Sequence, residues 1–262
     1  MVQKKVKILY QKKLKGNYFC CGLAAPVIAS QAKPGQFLNI RINVGGEPLL
    51  RRPLSIHRIK GSHIEILYEV LGQGTEALSW KKPGGYLDVI GPLGNGFKLD
   101  RQIGKQAIIV SGGMGVAPLT FLAEKLVHSS LLKTHGKPLV LLGAKTKKQI
   151  LCEKEFRDLT CQVKVATDDG SKGFKGKVTD LLRGLLPTID YRLSTIYACG
   201  PKPMLKSIAE VAIKYSMPAQ VSLEEHMACG IGACLGCVTK TKSGYQRICV
   251  EGPVFEVNQV LW

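Results

Sequence analysis

The 262-residue chain has no run approaching the ~20 apolar residues that a membrane-spanning helix needs. Its first ten residues alternate polar and apolar side chains, and no apolar stretch of the signal-peptide kind follows. No export signal is therefore expected, and a cytoplasmic location is. Aromatic residues make up only 6 % and form no stripe among the basic residues, so nucleic-acid binding is not expected. Internal repeats and low-complexity linkers are absent. Acidic side chains are scarce: 19 Asp and Glu stand against 37 Lys and Arg, a formal charge of +18. Such a balance steers anionic ligands or an acidic partner, or is a solvated basic surface. Nine cysteines are an odd number, which excludes a complete disulfide framework; without export they read as reduced thiols and metal ligands. His57, His63, His128, His135 and His226 form no acid–base constellation, and no catalytic side chain is expected.

What is present falls into three parts. Residues 1–102 carry β-type runs at Val6–Tyr10, Gln36–Ile42, Leu54–Ile59, His63–Val70 and Tyr86–Ile90. Turn residues punctuate them at Lys33-Pro34-Gly35, Gly45-Gly46, Gly61, Gly72 and Pro83-Gly84-Gly85, which predicts a small antiparallel β-barrel with a short helix from Thr75. Residues 103–217 alternate strands with helices. Strands are expected at Ala107–Val110, Leu139–Leu142, Val163–Ala166 and Thr195–Ala198. Helices are expected at Pro118–Val127, Glu153–Leu159, Val178–Leu186 and Met204–Tyr215. That rhythm predicts a parallel sheet with helices on both faces. Residues 218–262 begin with one more candidate strand, Ala219–Glu224, and continue as a cysteine-rich segment.

Cys229, Cys234, Cys237 and Cys249 follow the spacing C-x4-C-x2-C-x11-C. The first three match the plant-type 2Fe–2S spacing, in which one loop wraps three thiolates around two irons and a later segment supplies the fourth. The loop Ala228–Cys237 holds three glycines and two alanines, so backbone amides can approach the cluster. The alternative is structural zinc, which usually shows two matched short-spaced pairs; here Cys249 stands alone. Cys20, Cys21, Cys152, Cys161 and Cys199 lack such spacing and read as core or surface thiols.

Two further groups of motifs suit nucleotides. Arg51-Arg52-Pro53-Leu54-Ser55 opens a barrel strand, where an arginine can pair with a flavin pyrophosphate and the serine can reach the ring edge. Gly72-Gln73-Gly74-Thr75 precedes the short helix and offers free amides and a hydroxyl to phosphate. Gly112-Gly113-Met114-Gly115 joins the first α/β strand to its helix, and Cys199-Gly200-Pro201 ends a later strand. Both lie where ligands bind in open parallel sheets, outside the carboxyl ends of the strands. Each stretch taken singly also suits an ordinary turn.

With these motifs in order, the chain resembles the ferredoxin-reductase superfamily, and within it the electron-transfer subunits of B-type, NAD-dependent dihydroorotate dehydrogenases. The resemblance rests on Leu50–Ser55, Gly91-Pro92-Leu93-Gly94-Asn95-Gly96, Gly112–Leu119, Cys199–Leu205, Glu224–Cys234 and Cys249-x-x-Gly252-Pro253-Val254-Phe255. It implies FAD held by Arg52, Pro53, Leu54 and Ser55, by Leu67, Tyr68 and Glu69, and by Gly74 and Thr75. It implies NAD at Gly112, Gly113, Gly115, Cys199, Gly200 and Pro201, and a 2Fe–2S cluster on the four cysteines. The implied partner is an FMN-containing subunit that oxidises dihydroorotate in pyrimidine biosynthesis, in a heterotetramer of two of each chain. Electrons would pass from its FMN through the cluster and FAD to NAD+. Two positions depart from the pattern: Glu69 stands where a basic residue is common, and Leu54 where the wider superfamily often has an aromatic. The competing reading is an NAD(P)H-dependent reductase of another carrier. Lys145, Lys147 and Lys148 could attract a 2′-phosphate or be solvated loop lysines, and Asp168 and Asp169 could touch the nucleotide or make a turn.

Overall fold

The structure, a computed structural model, describes residues 1–43, 46–99, 106–129 and 136–262. Gly45 of the expected Gly45-Gly46 turn, His135 and the expected boundary at 102/103 lie outside the described residues.

The first half contains β1 (Val2–Lys15), β2 (Tyr18–Ala24), α1 (Pro26–Gln31), β3 (Phe37–Arg41), β4 (Arg52–Lys60), β5 (His63–Glu69), α2 (Gln73–Ser79) and β6 (Tyr86–Leu93). The six strands close into an antiparallel barrel in the order β1-β2-β5-β4-β3-β6. Alternation decides the inward face: Val6 and Ile8, Leu38 and Ile40, Ile64 and Ile66, and Leu87 and Val89 are all buried in one core, which Ile28 of α1 joins. Strand β2 and helix α1 were not expected from the sequence.

The second half contains β7 (Gln106–Gly112), α3 (Val116–His128), β8 (Leu139–Ala144), α4 (Glu153–Asp158), β9 (Gln162–Thr167), β10 (Phe174–Lys175), α5 (Val178–Leu185), β11 (Ser194–Cys199), α6 (Lys202–Lys214) and β12 (Ala219–Ser222). The last part adds β13 (Val238–Thr241), β14 (Gly244–Arg247) and β15 (Val254–Glu256). The sheet order is β10-β9-β8-β7-β11-β12-β15, parallel throughout except for β15. Its strands are apolar on both faces. Ile108, Val110, Leu139 and Leu141 pack with α5 and α6, whereas Ala107, Ile109, Val140 and Leu142 pack with α3 and α4. The chain goes from β7 outward to β8 and later returns to β11 on the other side, so β7 and β11 flank the point where strand order reverses.

Two sets of contacts fix the parts together. Helix α3 lies between sheet and barrel: His57 Nδ1 is 2.8 Å from the Ala117 carbonyl, and Arg58 Nε donates to Glu124 at 2.6 Å. The Gly91–Phe97 stretch braces the cysteine segment, since Asn95 Nδ2 donates to the carbonyls of Val250 (3.0 Å) and Glu251 (3.1 Å). The cysteine segment is therefore seated on the barrel and, through β15, on the sheet.

Candidate cofactor relay site

One cavity, of about 270 Å³, opens where the barrel meets the sheet. Pro53, Leu54 and Ser55 of β4 and Leu67, Tyr68 and Glu69 of β5 form its barrel wall, with Thr75 at one end. Met114, Ala117, Ser222–Glu225 and Met227 close it from the other side. Arg52 and Gly74 lie against each other: the guanidinium occupies the space that a side chain at 74 would need, and Arg52 Nη1 donates to the Leu50 carbonyl at 2.7 Å. The Thr75 hydroxyl is engaged locally, donating to the Gly72 carbonyl (3.2 Å) and accepting from the Leu71 amide (3.0 Å). Of the nine sequence-predicted flavin residues, seven line this cavity; Arg52 and Gly74 do not, and meet each other next to the wall residues Pro53 and Thr75.

A second cavity, of about 380 Å³, lies at the carboxyl ends of the parallel strands, at the reversal point. Gly112, Gly113 and Pro201 line it, with Gly143, Lys145, Asp168, Lys177, Thr179 and Met204. Gly115, Cys199 and Gly200 do not line it. Gly115 rests on the Cys199 carbonyl and Cys199 is buried, so these residues set the approach of the β7–α3 turn to the end of β11. Of the three lysines, Lys145 reaches the wall; the Lys147 amide donates to Ser171 Oγ at 2.8 Å. Asp169 accepts from the Ser171 amide (2.9 Å) and hydroxyl (2.6 Å) in a turn, and those bonds lower its carboxyl.

Glu69 and Met114 line both cavities, so the two adjoin. Tyr18 of β2 also lines the second cavity; burial, then the charge and hydrogen bond of Glu69, raises its hydroxyl above the usual tyrosine value. Sequence reasoning missed Tyr18 because β2 was unread. It also missed Met114 and Met227, whose thioethers carry no pattern of their own.

The cysteine loop continues from Met227. Cys229 is half-buried, Cys234 exposed, and Cys237 and Cys249 buried. Cys229 Sγ accepts from the Ile231 (3.5 Å) and Cys234 (3.4 Å) amides. Burial raises this thiol, but those amides outweigh it and bring it down to about 6. Cys249 is pushed up to about 12 by burial and by the adjacent Cys237. The four thiols lie near one another: Cys234 beside Cys229, and both Cys237 and Cys229 close enough to act on Cys249. Among the described residues no three His, Cys, Asp or Glu converge tightly enough for a single ion. A two-iron cluster on four thiolates fits this donor set and spacing better than one zinc. Away from the loop, burial pushes Cys20, Cys21 and Cys152 to about 12 and Cys161 to about 11, which keeps them protonated.

Among the described residues no histidine lines either cavity. His57 is buried against the Ala117 carbonyl, and burial holds it down at about 4.

Residues 224–261 match the family described as the iron–sulfur cluster binding domain of dihydroorotate dehydrogenase B, and residues 109–210 match the oxidoreductase NAD-binding domain. The chain is 42 % identical to a protein of Desulforamulus reducens, covering 98 % of this chain and 97 % of the relative. It is 39 % identical to a protein of Geobacillus sp., covering 100 % and 99 %. Both relatives are named dihydroorotate dehydrogenase B (NAD(+)), electron transfer subunit. Among solved structures, a chain of an NADH-dependent reduced ferredoxin-NADP oxidoreductase superposes with TM-score 0.83 at 32 % identity, covering 98 % of this chain and 90 % of that one. A ferredoxin NADP+ reductase from Neisseria gonorrhoeae shares the fold, with TM-score 0.68 at 14 % identity, covering 81 % and 91 %.

Proposed function

The chain belongs to the family of electron transfer subunits of dihydroorotate dehydrogenase B (NAD(+)), and from that premise we propose that it relays electrons from the FMN of a dihydroorotate-oxidising subunit to NAD+ by way of a 2Fe–2S cluster and FAD. The observation that carries this reading is the succession of shared walls. Glu69 and Met114 are common to the two cavities, and the first cavity reaches Met227, two residues before Cys229.

In this reading Pro53, Leu54, Ser55, Leu67, Tyr68 and Glu69 hold the flavin, with Arg52, Gly74 and Thr75 toward its phosphates. Gly112, Gly113 and Pro201 hold NAD, in a pocket shaped by Gly115, Cys199 and Gly200. Cys229, Cys234, Cys237 and Cys249 would hold the cluster. When bound, these groups supply hydride exchange with NAD+ and single-electron exchange between flavin and cluster. The chain itself positions them and sets the local charge. Pro53, Leu54 and Leu67 give the flavin cavity an apolar wall, while the Ile231 and Cys234 amides favour the thiolate of Cys229. No side chain is assigned to proton transfer.

The three functional units are taken as residues 1–102, 103–217 and 218–262, holding FAD, NAD and the cluster. Among the described residues no helix is long and apolar enough to cross a membrane. We place the protein in the cytoplasm, in a heterotetramer of two copies of this chain and two of the FMN subunit, acting in pyrimidine synthesis. Ile231, Leu235 and Val250, exposed around the cysteine loop, are assigned to the face that meets that subunit. Identities of 42 % and 39 % to the dihydroorotate family, against 32 % to the ferredoxin-NADP chain, favour dihydroorotate over another electron source.

The test is co-expression with an FMN-containing dihydroorotate dehydrogenase subunit, anaerobic purification and an assay of dihydroorotate-dependent NAD+ reduction. Activity that requires both chains and vanishes in Cys234→Ser is expected. A chain that holds FAD and iron alone and passes electrons from NADH to dyes, indifferent to dihydroorotate and partner, would be a reductase of another carrier.

A further inference from the structure

Strand β3 presents two faces. Leu38 and Ile40 enter the barrel core, while Phe37 and Asn39 point away from it. Phe37 lines the flavin cavity and belongs to the same continuous core as Cys237 and Cys249. Asn39 is completely buried and lies in register with Pro53, a flavin-wall residue, on β4. Its Nδ2 donates to the backbone carbonyl of Cys229 at 2.9 Å. That carbonyl can only accept, which fixes the orientation of the amide and leaves Oδ1 buried without a partner. Gly230, at φ +70°, completes the contact: a side chain there would collide with the Asn39 amide nitrogen.

An unpaired buried oxygen is costly, and a leucine of similar size would remove it. Packing alone therefore gives no reason for an amide at position 39. What leucine lacks is the donor to Cys229. Resting on the reading of the cysteine loop as a 2Fe–2S site, we propose that Asn39 is a positioning residue that ties the loop to the flavin-facing wall of the barrel and sets the electrostatic surroundings of the cluster. By drawing density from the Cys229 carbonyl, its N–H raises the cluster potential. By fixing the loop at Cys229 and Gly230, it holds the cluster in register with the strand pair that carries Pro53. Partners of this kind, acting through a ligand rather than on the metal, are worth about ten- to a hundredfold.

The experiment uses the co-purified complex with wild-type chain, Asn39→Leu and Asn39→Asp. Iron and FAD content, the EPR spectrum and midpoint potential of the reduced cluster, and the rate at which NADH reduces the cluster are all measured. Both variants are expected to keep FAD, to show altered g-values and a lower potential, and to slow cluster reduction about tenfold or more. Gly230→Ala, which disturbs the same contact from the loop side and leaves the barrel sequence intact, is expected to alter the EPR spectrum likewise, and decides the case where a position-39 variant does not fold. Wild-type spectrum, potential and rate in the variants would overturn the role of Asn39, as would a loss confined to FAD. A wild-type chain that binds no iron would instead overturn the cluster reading itself.

Discussion

Gly115 lies against the carbonyl of Cys199, and a Cβ at that position would also stand 2.7 Å from the Gly200 nitrogen. Its φ of −57° suits any residue, so the demand for glycine here is one of space. Through this contact the β7–α3 turn packs onto the end of β11, beside the cavity at the carboxyl ends of the strands. Gly115→Ala should push the β7–α3 turn off β11, costing about 1–3 kcal/mol of stability by overpacking. Affinity for NAD+ should fall while FAD and iron remain. Urea unfolding and NADH titration of flavin reduction check this; unchanged NADH affinity would detach Gly115 from the site.

The buried His57 makes stability depend on pH with a definite sign. Its value of about 4 in the folded protein lies below the ~6.5 of an unfolded histidine, so between these values the unfolded chain binds the extra proton. Its contribution is fully present above about 6.5, is lost as pH falls, and levels off near 4, a total of about 3 kcal/mol. His57→Gln should flatten this part of the profile. Urea midpoints of both proteins from neutral to mildly acidic pH test it, and parallel profiles would contradict it.

The barrel, the parallel sheet and the cysteine loop were legible because each rests on a local period or spacing. Strand β5 alternates, β7 and β8 are short apolar runs bounded by turns, and the cysteine intervals match the plant-type cluster spacing over the first three. Strand β2 was not legible: Tyr18-Phe19-Cys20-Cys21-Gly22-Leu23-Ala24 has no polar alternation, since one side enters the barrel and part of the other packs against the α/β half. Strand β15, three residues long, is defined by pairing with β12 and carries no periodic signal. The same limit applies to the site. Glycine motifs marked the ends of β7 and β11, but Tyr18, Met114 and Asn39 acquire roles only when strands distant in sequence meet.

Glu69 stands on the wall shared by the two cavities and hydrogen-bonds Tyr18. Its carboxylate accepts hydrogen bonds and donates none, so among the nucleotide's groups it suits ribose hydroxyls and an amide rather than phosphate. Glu69→Ala should therefore raise the KM for NAD+ about tenfold, the worth of a hydrogen bond to a charged acceptor, with FAD retained by the rest of its wall at Pro53–Ser55, Leu67 and Tyr68. Glu69→Gln keeps an acceptor oxygen and should recover part of the loss. Steady-state kinetics with NAD+ decides the matter: a KM that falls in both variants would mean that the carboxylate repels the dinucleotide instead.

The nine cysteines divide by environment, and the division is testable with paired substitutions. Cys234 is exposed in the loop where amides favour a neighbouring thiolate, whereas Cys161 is buried and pushed up to about 11. Cys234→Ser should strip iron and its visible absorbance while leaving the flavin spectrum, because the barrel wall at Pro53–Ser55 does not depend on that side chain. Cys161→Ser should keep iron and EPR signal at wild-type level and cost stability alone, about 1–3 kcal/mol for placing a hydroxyl in an apolar site. Iron analysis and anaerobic EPR of the two variants separate the classes. Equal iron loss from both would mean that thiols outside the loop contribute to the metal site, and the assignment of the cluster to Cys229, Cys234, Cys237 and Cys249 alone would have to be withdrawn.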